Sequence, residues 1–165
     1  MTDENPRWPA DRYSTPLRVR PKISPQAARE VRRDTPLRRG RTCYGHLAGI
    51  AGVVFMDTML DLGWLDETAE IGLDRRVRYT LSVAGALALD ARGVDVASAK
   101  RSGGQFAFGC LDWTEGKQHL GGALGRALVA CLAGQGYLAR TRGRREVTLR
   151  KDLDGWFERG PSSQC

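Results

Sequence analysis

Nothing in the 165 residues approaches the roughly 18 consecutive apolar residues that a membrane span needs. The first residues, MTDENPRWPADRY, run from acidic to basic and lack the apolar core of a secretory signal. The four cysteines, Cys43, Cys110, Cys131 and Cys165, form no CxxC pair, which argues against a zinc ribbon. There is no G-x-S-x-G elbow, no phosphate-binding loop and no H-E-x-x-H. Asp57 and Asp61 stand one helical turn apart, a commonplace spacing for acids, and no oxyanion hole accompanies any Cys–His pair. These absences point to a cytoplasmic protein that is not an enzyme and whose thiols stay reduced.

Beyond residue 36 the only proline is Pro161, whereas Pro6, Pro9, Pro16, Pro21, Pro25 and Pro36 crowd the start. Arginines lie between them and large apolar residues are few, so residues 1–37 are expected to form an extended basic arm. A short helix can begin at Ser24, with Pro25 in its first position. Lys plus Arg is 26 against 19 for Asp plus Glu, a formal charge of +7 that favours polyanions through counterion release. The alternative is that much of this excess sits in a solvated arm, where Arg18, Arg20, Lys22, Arg32 and Arg33 add attraction without sequence preference.

From Thr42 the composition changes. CYGHLAGIAGVVFMDTMLDLGWL has helical spacing, with Leu47, Ile50, Val54, Met59 and Leu62 near one face, Gly49 and Gly52 permitting another helix to approach, and Gly63 as a stop. DETAEIGLDRRVRYTL reads as two strands around a Gly-Leu-Asp turn, and SVAGALALDARG as a helix capped by Ser82 and ended by Gly93. After a Ser-Gly-Gly loop, QFAFGCL suits a short buried segment, and Asp112 or Thr114 can cap a helix from about Glu115.

The second half repeats the layout. At an offset of 73 (119 − 46), His46 meets His119, Leu47 meets Leu120, Gly49 meets Gly122, Gly52 meets Gly125, Gly63 meets Gly136, Trp64 meets Tyr137 and Leu65 meets Leu138. A basic hairpin follows each helix, then another helix. The expected fold is α+β, mainly helical with short hairpins. It comprises two tandem winged-helix-like units (42–95 and 110–160) within one regulatory domain (38–160), before a tail at 161–165. Residues 42–65 and 117–138 are expected to be helices packed on each other, with the wings outside. Chance similarity of two Gly/Ala/Leu-rich helices is the alternative.

Thr42–Gly49, TCYGHLAG, is similar to the Cys-Tyr-Asp-His-Leu-Ala-Gly signature in one branch of the ArsR-like winged-helix regulators. Cys110–Glu115, CLDWTE, with HLGGALG at His119–Gly125, resembles that branch's second signature, and the likeness runs from about Arg38 to Phe157. It implies a dimeric, DNA-binding repressor that releases its operator when an effector binds. Two departures stand out: Gly45 replaces the family's Asp, and the arm stands where the winged-helix DNA-reading domain is usual. The expectation is therefore a C-terminal regulatory part, either with that domain lost or with the gene's start misplaced.

Cys43 and His46, spaced i, i+3, are expected on one helical face, a thiol–imidazole pair suited to a soft or borderline metal ion or metalloid. Cys110, Asp112 and His119 can complete a site bridging the two copies, so that ligand binding couples to their packing. The plainer alternative makes the cysteines small core residues and the histidines cap or core groups. Cys131, inside a Leu/Ala/Val helix, is expected in the core. For double-stranded DNA the candidates are Arg75, Arg76 and Arg78 in the first wing, Arg140, Arg142, Arg144 and Arg145 in the second, and Arg126 in the helix before it. Solvated turns, with Arg paired to Asp74 or Glu146, are the alternative. Two functional readings follow: a DNA-associated regulator, or a sensing or partner-binding module that pairs with itself or with a full-length relative and does not bind DNA.

Overall fold

Each long helix of this chain is preceded by one antiparallel hairpin and followed by another, and this order is met twice. The computed structural model describes residues 33–71 and 76–158, together with residues 24, 25, 28 and 29. Arg18, Arg20, Lys22 and Arg32 of the arm, most of the short helix from Ser24, the Gly-Leu-Asp turn, Arg75 and the tail lie outside the described residues.

The first helix described beyond residue 33 begins slightly before the expected domain boundary at 38. Thr35 Oγ1 accepts from Arg38 N at 3.1 Å and caps α1 (Pro36–Arg39). Next come β1 (Arg41–Cys43) and β2 (His46–Ala48), an antiparallel pair in register Cys43↔His46, and only then α2 (Ile50–Asp61). Thr42–Gly49 is therefore a hairpin, not the start of the expected helix. Its tip is tight, with Tyr44 at φ 50° and Gly45 at φ 92°, and β2 is buried on both faces, which erases any period-two pattern. The helix starts where Gly49, at φ 77°, turns the chain; a Cβ there would lie 2.4 Å from the Arg38 carbonyl.

Strands β3 (Leu65–Ile71) and β4 (Val77–Leu81) form the expected hairpin. Ser82 caps α3 (Val83–Ala91) by accepting from Gly85 N at 2.9 Å. A further helix, α4 (Val96–Arg101), has Asp95 as its N-cap and was not legible beforehand. Strands β5 (Phe108–Leu111) and β6 (Gln118–Gly121) then form a second tight hairpin before α5 (Gly122–Gly134), so the expected helix from Glu115 begins seven residues later, at Gly122. Asp112 and Thr114 instead close the turn between β5 and β6. The wing β7 (Leu138–Arg140) and β8 (Val147–Leu149) and the helix α6 (Asp154–Glu158) complete the fold.

The fold is thus a mixture of helices and antiparallel sheet. Equivalent stops end the two long helices: Trp64 N bonds to the Met59 carbonyl, and Tyr137 N to the Leu132 carbonyl, at 2.9 and 2.8 Å. Each wing continues the other tight hairpin. β4 adds to β5 and β6, giving the order β3-β4-β5-β6, while Thr42 N of β1 bonds to the Arg145 carbonyl of the second wing at 2.7 Å and Val147 N to the Gly40 carbonyl at 3.1 Å. The long helices do not pack face to face as expected: α2 lies against β6 and α5 against β2. One apolar core gathers Phe55, Met56, Met59, Leu124, Leu128, Leu132 and Trp156, with the Phe55 and Trp156 rings 5.2 Å apart. Among the described residues no helix is long and apolar enough to cross a membrane.

Candidate functional site

The two tight hairpins meet through β2 and β6 and bring four side chains together. Cys43 ends β1 and His46 opens β2, so they meet as cross-strand partners rather than along a helix. Cys110 and His119 are likewise opposite each other on β5 and β6. The ligand atoms of Cys43, His46, Cys110 and His119 all lie within 4.8 Å of one another. The two sulfurs are 4.0 Å apart, and the imidazole centroids 5.4 Å apart. Both histidines are buried and both cysteines half-buried and free.

Two glycines make this approach possible. A Cβ on Gly52 of α2 would stand 2.3 Å from the Leu47 carbonyl and 3.3 Å from the His119 Cβ. A Cβ on Gly125 of α5 would stand 2.4 Å from the Leu120 carbonyl and 2.9 Å from the His46 Cβ. Gly52 thus admits a hairpin rather than the helix expected there. The relationship is reciprocal, each long helix yielding space to the histidine of the other half.

Asp112, expected as a possible ligand, stands behind the cluster. Its carboxylate accepts from Arg41 Nη2 at 2.6 Å, Gly49 N at 2.7 Å, Thr114 N at 2.9 Å and Thr114 Oγ1 at 2.7 Å. Its second oxygen faces His119 Nδ1 at 3.4 Å. Burial pushes the Asp112 carboxyl up, but His119, Arg41 and these donors outweigh it and hold the group well below the usual carboxylate range. His119 is pressed down by burial and raised further by Asp112 and Cys43, for a net upward shift. Burial instead takes His46 down to about 4. Cys43 is lowered by its contacts with Cys110 and His119, whereas Cys110 is raised by its neighbour's sulfur and by burial. The cluster therefore offers a first thiolate at Cys43, in an arrangement able to coordinate a cation or to react with an electrophile.

Cys131, expected in the core, is half-buried on α5 and donates to the Arg92 carbonyl at 3.4 Å, away from the cluster. Of the expected DNA-contacting residues, Arg140, Arg142, Arg144 and Arg145 are exposed together on the second wing. Arg144 lies 3.8 Å from Glu146, and Arg145 Nε donates to the Thr42 carbonyl at 3.4 Å. In the first wing the Arg76 guanidinium sits 4.6 Å over the Phe108 ring, and Arg78 is half-buried. Arg126 does not join either wing: its aliphatic stem runs beside Gly45, 3.3 Å from where a Cβ would be.

With this geometry in view, similarity to curated proteins becomes informative. Over 143 residues the sequence is 27% identical to a protein of Bacillus subtilis (strain 168) described as the uncharacterized HTH-type transcriptional regulator YdfF. The chain is similar to a transcriptional regulator. The match covers 87% of this chain and 60% of the relative, so the chain spans less than two thirds of that protein's length. No family model matches the sequence. No solved structure matches it.

Arg41, Thr114 and Gly49 N fix Asp112 and through it His119; the sequence offered Thr114 as a helix cap and Gly49 as a point of close helix approach, and did not single out Arg41. Arg41 stands in a run of arginines, and its burial is what separates it from the others.

Proposed function

We propose that this chain is the regulatory part of an ArsR-like transcriptional regulator, in which the Cys–His cluster senses an effector and the second wing contacts DNA. The observation that carries the reading is the bond from Thr42 N to the Arg145 carbonyl at 2.7 Å. Thr42 adjoins Cys43, and Arg145 belongs to the arginine-rich hairpin, so a ligand that moves β1 moves the wing with it. A ligand shifts such an equilibrium only through different affinity for the two arrangements, and a site built from both hairpins supplies that difference. Guanidinium forks exposed on a hairpin suit paired donation to phosphate oxygens. Similarity to an HTH-type regulator supports the same reading. The working form is a pair, either of two copies or of this chain with a longer relative.

The test is binding of the full chain to two labelled duplexes, the gene's own upstream DNA and a random sequence, at low and physiological salt. Tight binding to the upstream duplex that survives physiological salt, and that weakens when Arg140, Arg142, Arg144 and Arg145 become Ala, is the expected result. Equal, weak binding to both duplexes that disappears with salt would overturn the DNA-contacting role and leave a sensing module that pairs without reading DNA.

A further inference from the structure

We infer that Cys43, His46, Cys110 and His119 form a four-ligand site for a divalent cation of the zinc class, held between the two tight hairpins. This deepens the regulatory reading by naming the effector's class, and it rests on that reading only for its consequence, not for the binding itself.

The distances fit the chemistry. A tetrahedral centre with Zn–S bonds of about 2.3 Å and Zn–N bonds of about 2.0–2.1 Å places its ligand atoms roughly 3.3–3.8 Å apart. The sulfurs stand 4.0 Å apart and the whole set lies within 4.8 Å, so shifts of at most about 0.7 Å per ligand close the shell. The ligand set is two soft sulfurs and two borderline nitrogens, and a tetrahedral set of that composition selects zinc over magnesium, calcium or manganese, which seek oxygen. Charge favours it too: two thiolates and two neutral imidazoles bring a dication to zero net charge, which limits the cost of burying it. Asp112 is not needed for this balance, being already paired with Arg41.

The surroundings support it independently. His46 Nδ1 and both ring nitrogens of His119 are buried without a hydrogen bond of ordinary geometry, an arrangement costly to keep in a finished core. Asp112 Oδ2 beside His119 Nδ1 leaves Nε2 as the nitrogen turned to the metal, the carboxylate–histidine–metal relay that orients a ligating ring. No water-derived ligand is required, so the site is closed and non-catalytic in kind. Because two ligands come from each hairpin, the cation fixes one hairpin against the other, and through Thr42 it fixes the second wing.

The full chain, purified under reducing conditions, is assayed for zinc by elemental analysis and titrated with cobalt(II) under anaerobic conditions. The expected results are one zinc per chain and an intense tetrahedral cobalt spectrum with thiolate-to-metal charge transfer. Cys43→Ser and Cys110→Ser each remove about half of the charge-transfer intensity and weaken zinc binding at least tenfold, while Cys131→Ser changes neither. A pale octahedral cobalt spectrum, or no zinc retained against a chelator of micromolar affinity, overturns the assignment on the unaltered protein, whatever the variants do. Equal loss in the Cys131→Ser protein overturns it as well. DNA binding without zinc binding removes this inference and leaves the regulatory reading standing; zinc binding without DNA binding does the reverse.

Discussion

Arg41 Nη2 lies 2.6 Å from Asp112 Oδ1, and both side chains are fully shielded from solvent, at 0% exposure each. The pair ties β1 to the turn between β5 and β6, and the Trp113 ring lies under the same guanidinium at 4.6 Å. Removing one member leaves the other charge uncompensated in the interior. Asp112→Ala is expected to cost about 3–5 kcal/mol, read as a fall in the urea midpoint with little change in slope. Replacing both residues at once, Arg41→Met with Asp112→Leu, is expected to recover a large part of that loss. A double variant no more stable than Asp112→Ala would show that the pair is not the source of the effect.

Asp112→Asn also leaves Arg41 without its counter-charge, so its effect on metal binding is read at a temperature where the variant is folded. The amide keeps the shape but no longer supports a ligating imidazole with a charged acceptor. Zinc affinity is expected to fall about 10- to 100-fold, measured by competition with a chromophoric chelator, while the stoichiometry of one is kept. An unchanged affinity would detach Asp112 from the site.

Gly52 and Gly125 make a matched pair of substitutions. Gly125→Ala sets a methyl 2.4 Å from the Leu120 carbonyl and 2.9 Å from the His46 Cβ; Gly52→Ala sets one 2.3 Å from the Leu47 carbonyl. Each is expected to destabilise the fold by about 1–3 kcal/mol, against the usual gain for Gly→Ala in a helix. Each should also weaken zinc binding, since the hairpin that yields carries a ligand. Thermal melts with and without zinc read both effects.

Metal itself supplies another prediction. At a hundredfold excess over its dissociation constant, zinc adds about 2.7 kcal/mol to stability by mass action, a rise of several degrees in Tm. It is also expected to protect Cys43 and Cys110 from alkylation while leaving Cys131 labelled at its former rate, as peptide mass mapping would show. Protection of Cys131 to the same degree would indicate general tightening rather than coordination.

For DNA, each arginine that neutralises a phosphate should steepen the dependence of log affinity on log salt by about 0.9, and its replacement by Ala should remove that increment. The exposed arginines of the second wing are expected to show this one by one. Arg76→Ala should change the slope less, because the Arg76 guanidinium already lies over Phe108. Equal effects from both wings would redraw the proposed DNA-contacting surface.

Much of this molecule was legible in the amino-acid order where local chemistry decides. Ser82 caps a helix, Gly63 and Gly136 follow helix ends, and β3 and β4 carry the residues of a hairpin. The cluster was legible as well, but through the wrong geometry: i, i+3 spacing puts Cys43 and His46 together in a helix, and a two-residue turn also puts them together across a hairpin. The tight hairpins themselves were hidden. Their strands run only three or four residues, β2 is buried throughout, and the tip requires a tyrosine, 91% exposed, at positive φ. Apart from Gly45, little local marks such a turn, because its stability comes from the helix of the other half packed behind it.

The exchange of wings between the halves also bears on how the chain acquires its shape. The bond between Arg41 and Asp112 joins residues 71 positions apart, and the one from Thr42 to Arg145 joins residues 103 apart. Neither tight hairpin has a covered edge until the far wing arrives, so little is gained before a long loop has closed. Folding is therefore expected to be slow for a chain of this length, with the two halves melting in one transition, which stopped-flow refolding and a thermal melt would check. Because each half's hairpin is completed by the other half's wing, neither half is expected to fold when expressed alone.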